Sequence, residues 1–126
     1  MIANAWGPPS MLEIRQEIIE PGIGVLHLSG RIAMGRPCQD IEAEVEEMLR
    51  QKITKIVLDV SEVQRVDSTG FGTIVTCSQK LKNAGGKFRV VGVKGMVEEI
   101  AHSSQLPRII PFDATLPEAI SALQES

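Results

Sequence analysis

Lys55-Ile56-Val57-Leu58-Asp59-Val60 and, a few residues on, Val66-Asp67-Ser68-Thr69-Gly70-Phe71-Gly72 are the two stretches from which the fold can be read. The first is a short apolar run rich in β-branched residues. That composition suits a strand covered on both faces in a parallel or mixed sheet. The second leads into Phe71, Ile74, Val75 and Leu81, whose spacing predicts a helix. Ser61 to Val66 read as the connection, so strand, short loop and helix follow one another.

Working outward, the same alternation continues toward the C-terminus. Asn83-Ala84-Gly85-Gly86 supplies residues that close a helix, Phe88 to Val93 reads as a second buried strand, and Gly95 opens a helix through His102. Ile109, Ile110 and Phe112 read as a short strand after Pro107. Thr115, Pro117 and Glu118 then give an N-cap, a first-turn proline and an acid, with Ala119, Ile120 and Leu123 as the buried side of a last helix.

Toward the N-terminus, Met11 to Ile19 and Ile23 to Ser29 flank Glu20-Pro21-Gly22 and read as a hairpin that ends at Gly30. A loop follows, and Ile41, Val45, Met48 and Leu49 then recur at helical spacing. Glu42, Glu44, Glu46 and Glu47 give this helix an acidic outer face, read as solvated. Met1 to Ser10, with Trp6-Gly7-Pro8-Pro9, read as a flexible extension (1–10) before one domain (11–126). The fold class is α/β, with helices packed on one sheet.

Composition narrows the function. The chain has 126 residues, 43% hydrophobic and 3% aromatic, so one core built from Ile, Val, Leu and Met is expected. A net charge of −3 without a basic run argues against nucleic acid as a partner. No apolar run approaches the ~20 residues that span a bilayer, so no membrane insertion and a cytoplasmic location are expected. Cys38 and Cys77 lie in unrelated segments without metal-ligand spacing and are expected to be reduced. His27 and His102 are isolated in sequence, so neither metal nor cofactor is expected.

The segment that carries chemistry is Asp67-Ser68-Thr69-Gly70-Phe71-Gly72. It places a hydroxyl where a helix exposes unpaired N–H groups and positive dipole, with Ser68 as the N-cap or its neighbour. Gly70 and Gly72 are expected to leave the first turn open to a partner's close approach. Anion binding, nucleophilic catalysis and acceptance of a phosphoryl group all use such a site, as does plain N-capping. Catalysis needs a base and an oxyanion hole, and no His is near in sequence. Asp67 opposes a bound anion. Phosphorylation tolerates the geometry, because a helix N-terminus accommodates the about −1.5 to −2 added charges and a docked surface does not.

Asp59-Val60, then Val66 to Gly72, Asn83 to Gly86 and Phe88-Arg89-Val90-Val91-Gly92 resemble the STAS family of bacterial anti-anti-sigma factors, from about Leu12 to Leu123. The resemblance implies a mixed sheet of four to five strands with an N-terminal β-hairpin and about four helices mainly on one side. It implies a non-enzymatic anti-sigma factor antagonist, whose partners are an anti-sigma factor serine kinase and a serine phosphatase acting on the phosphorylated form. Ser68 matches the phosphorylated position, with Thr69 the second choice, and Asp67, Thr69 and Gly70 would line the docking surface.

One departure is Gly30-Arg31-Ile32-Ala33-Met34-Gly35-Arg36, where many such antagonists carry an acidic segment. Arg31 and Arg36 reverse the sign of that edge, so the partner is expected to differ, with Arg31 part of its binding surface. Members of this family also serve as interaction subunits of stress-signalling scaffolds and of lipid-transport complexes, which is the alternative reading.

Overall fold

The structure, a computed structural model, describes residues 12–125. The extension predicted over residues 1–10, Trp6 included, lies outside the described residues. Five strands form one sheet in sequential order: β1 (Leu12–Ile19), β2 (Ile23–Ile32), β3 (Lys55–Val66), β4 (Lys87–Val91) and β5 (Phe112–Asp113). β1 runs antiparallel to β2, and the other three pairings are parallel. The sheet is therefore mixed, with the hairpin providing its antiparallel edge.

Four α-helices connect or follow the strands: α1 (Arg36–Arg50), α2 (Ser68–Asn83), α3 (Gly95–Ser103) and α4 (Leu116–Gln124). Alternation in β3 assigns them to faces, since successive side chains point to opposite sides. Ile56, Leu58 and Val60 join the main core with Ile41 and Val45 of α1, Ile74 and Leu81 of α2, and Val97 of α3. Val57 points the other way, into a smaller core with Val25, Ala119 and Leu123. Three helices thus cover one face, and α4 covers part of the other. Thr115 caps α4 in a reciprocal box with Glu118, as Thr-x-x-Glu predicts.

Three sequence expectations need correction. β2 does not end at Gly30, and Ser61 to Val66 are not a loop: β2 and β3 stay paired as far as Ile32 and Val66. Register shifts between His27 and Ser29 and between Gly30 and Arg31 interrupt the alternation, and Gly30 adopts φ 112° there. Val63 and Val66, three residues apart, both reach the core for that reason. The last strand is also shorter than expected. Leu106–Arg108 form a 3-10 turn, Ile109 is exposed, Ile110 is buried, and only Phe112 and Asp113 pair with β4.

Cys38 and Cys77 are free and buried. Burial pushes the Cys77 thiol up to about 12, and the Cys38 Sγ donates to the Ala33 carbonyl at 3.1 Å. Of the acidic outer face of α1, Glu46 pairs with Lys80 of α2, and Glu47 pairs with Arg50.

Candidate functional site

The motif sits where the two longest parallel strands end. Val66 closes β3, Asp67 turns the chain, and α2 begins at Ser68. Asp67, not Ser68, is the N-cap. Its Oδ1 accepts from the Gly70 N–H at 2.7 Å and its Oδ2 from the Met34 N–H at 3.0 Å. Those two backbone donors, led by Met34, hold the carboxyl below the usual carboxylate range despite an opposing desolvation cost. The Asp67 N–H donates to the Ile32 carbonyl at 3.2 Å, so one residue ties the end of β2, the loop after it and the start of α2.

This leaves the Ser68 hydroxyl without a capping duty. Ser68 and Thr69 are exposed at the first two helical positions, where backbone N–H groups have no partner within the helix. Gly72 is exposed, and nothing lies within 4 Å of where its Cβ would stand.

Gly70 departs from the expectation that it lines an open surface. It is buried, and a Cβ there would lie 2.5 Å from the Ile32 carbonyl oxygen and 2.8 Å from Val66 Cγ1. Its missing side chain lets α2 press against the end of β2. Gly70 therefore sets the height at which Ser68 is presented and offers no side-chain surface of its own.

Arg31 lies near the motif, in a cleft of about 360 Å³ that Asp67 also lines. Sequence reasoning missed the rest of that cleft: Arg65, in register with Arg31, and Val97 and Ile100 from α3. Only the pairing of β2 with β3 beyond Gly30 brings the arginines together, and no local pattern announces it.

His27 is less isolated than its sequence suggests. Its Nδ1 lies 2.7 Å from Asp59 Oδ2 and its Nε2 lies 2.8 Å from Glu17 Oε1, joining β1, β2 and β3 through side chains on one face. Asp59 also accepts from the Ser61 N–H at 3.0 Å. Both ring nitrogens are thus engaged with carboxylates. His102 lies 3.8 Å from Glu98, one turn away on the same helix. Among the described residues no cluster of His, Cys, Asp or Glu is arranged to hold a metal ion, and no helix is long and apolar enough to cross a membrane.

Comparison with known proteins places this architecture. A Thermotoga neapolitana protein, a homologue of TM1081 provisionally named an anti-sigma factor antagonist, is 32% identical over 79 residues, covering 63% of this chain and 70% of that one. A solved anti-sigma factor antagonist from Mycobacterium paratuberculosis superposes with a TM-score of 0.79 at 24% identity, covering 90% of this chain and 94% of that one. The Bacillus protein SpoIIAA is similar in its unphosphorylated form at TM-score 0.76 and 20% identity, covering 90% and 98%. Its phosphorylated form has also been solved, with a TM-score of 0.68 at 20% identity, covering 87% and 98%. The STAS domain model matches residues 15–119, nearly the whole span from β1 to α4. With the mixed five-stranded sheet and a serine presented at the start of the second helix, that match establishes that the chain belongs to the STAS domain family.

Proposed function

We propose that this protein is an anti-sigma factor antagonist that works by partner switching at Ser68. The unphosphorylated form binds an anti-sigma factor that is also a serine kinase and so releases a sigma factor for transcription. The Ser68 Oγ then takes the γ-phosphoryl group of ATP, ADP departs, and the complex ends. A serine phosphatase acting on the phosphorylated form restores binding. In this reading the protein catalyses nothing and needs no cofactor.

The observation that carries the proposal is the division of labour at the start of α2. Asp67 caps the helix, so the neighbouring Ser68 hydroxyl is exposed and its modification leaves the cap in place. A phosphoserine there adds about −1.5 to −2 charges at the positive end of the helix dipole, which favours it in the free protein. The same charge pressed into a protein interface is desolvated and opposes binding. The naming of the relatives as anti-sigma factor antagonists supports the choice of partner, and SpoIIAA, solved with and without phosphate, supports the switch.

The test is to incubate the purified protein with ATP and recombinant anti-sigma serine kinases from its source organism and to map added phosphate by mass spectrometry. Phosphate on Ser68, absent from Ser68→Ala and followed by loss of kinase binding, is the expected result. Phosphate on Thr69 alone would move the acceptor by one residue. Stable binding to other subunits by an unmodified protein would favour a scaffold or transport-subunit role.

A further inference from the structure

Arg31 and Arg65 face each other in register on the parallel strands β2 and β3, and both are exposed. Adjacent strands lie about 4.8 Å apart, and like charges directly opposite each other destabilise a sheet. The ion pairs found among the described residues include neither arginine. The free protein therefore places two like charges, neither in an ion pair among the described residues, at neighbouring positions of the sheet. Both arginines line the cleft of about 360 Å³, together with Val66 of β3 and with Val97 and Ile100 of α3. Ile100 is 39% exposed, so the apolar side of the cleft is open to solvent. The negative group in the cleft, Asp67, already has its two oxygens bonded to the Met34 and Gly70 N–H groups.

We propose that this cleft docks the anti-sigma partner through a segment that presents a carboxylate to Arg31 and Arg65 and an apolar side chain to Val97 and Ile100. The identity of the partner rests on the function proposed above; the chemistry of the segment rests on the cleft. Two arginines in register that line one cleft offer guanidinium donors to a carboxylate, which can accept from both. Residues 1–10 of this chain contain no Asp or Glu and do not supply it. The cleft also connects to the switch. Asp67 lines it and Ser68 follows directly, so a phosphate on Ser68 brings negative charge to the rim where the partner's carboxylate docks.

Two arms test this. In the first, isotope-labelled protein is titrated with the capped peptide Leu-Glu-Glu-Leu at millimolar concentration and with its Leu-Gln-Gln-Leu counterpart, and amide shifts are followed by NMR. Saturable shifts centred on residues 31–33, 64–67 and 97–100 are expected from the acidic peptide alone, and Arg31→Glu with Arg65→Glu should abolish them. Equal response to both peptides, or no response at those residues, overturns the proposal. This arm does not depend on the partner's identity.

In the second arm, affinity for the anti-sigma factor that binds the wild type is measured for Arg31→Glu and for the double variant at two salt concentrations. Arg31→Glu converts a like-charged pair into an opposite one, so its melting temperature should hold or rise while affinity falls at least about tenfold. The double variant restores the repulsion with reversed sign, and its affinity falls further. Unchanged affinity and salt dependence overturn the docking mode and leave partner switching intact. If no anti-sigma factor binds the wild type, partner switching fails and the peptide arm decides the cleft. A dimer in sedimentation that dissociates on Arg31→Glu would assign the cleft to a second copy and overturn the proposal.

Discussion

Replacing Gly70 with Ala tests whether the motif's first glycine acts inward. In an open helix the change stabilises by about 1 kcal/mol, because Ala loses less backbone entropy. Here the new methyl would lie 2.5 Å from the Ile32 carbonyl oxygen, 2.8 Å from Val66 Cγ1 and 3.0 Å from Ile32 Cγ2. The first of these is backbone, held by the Asp67 N–H, and cannot rotate away. Overpacking of this severity costs about 3 kcal/mol, the upper end of the usual range. The net destabilisation is therefore about 2 kcal/mol, or roughly 8 °C in melting temperature for a chain of this size. Gly72→Ala is the control: its methyl meets nothing within 4 Å, so it should keep the helix gain and melt a few degrees higher. Thermal and urea melts of both variants beside the wild type measure the difference. A Gly70→Ala protein as stable as Gly72→Ala would refute the view that Gly70 sets the contact between α2 and β2.

Asp67→Asn should lose stability at neutral pH relative to the wild type. The folded Asp67 carboxyl is held below its unfolded value near 3.9, so its contribution is present above that value and disappears as pH falls through the folded pKa. Melts across acidic pH should show the two proteins converging below about pH 4, and a constant gap would contradict the assignment. Leu123→Ala removes a side chain that is 1% exposed beneath α4 and should cost about 2–4 kcal/mol. Hydrogen exchange should accelerate first in residues 116–124, while residues 68–83 stay protected; uniform acceleration would show that the smaller core is not separable from the larger.

What was legible in the sequence follows from the range of the interaction involved. β3 announced itself because Ile56, Val57 and Leu58 are consecutive apolar residues, with Val60 after Asp59, as suits a strand covered on both faces. α4 was legible because its cap is local, with Thr115 and Glu118 three residues apart. Ser68 was found through the glycine-rich motif around it, but which residue capped the helix was not: Asp67 and Ser68 are both good caps, and the Met34 N–H that engages Asp67 comes from 33 residues away. The length of β2 and β3 was missed because bulges disturb alternation, and the pairing of Arg31 with Arg65 was lost with it. The grouping of Glu17, His27 and Asp59 likewise depends on strand register, which single positions do not encode.

The most direct test of the switch is the affinity of one anti-sigma factor for the wild type, Ser68→Ala and Ser68→Glu, measured by titration calorimetry on proteins shown to melt alike. Ser68→Ala should bind as the wild type does. Ser68→Glu, which places a permanent charge at the first position of α2, should weaken binding by about 2–5 kcal/mol, roughly thirtyfold or more. Equal affinity for all three proteins would contradict control of the interface by charge at Ser68.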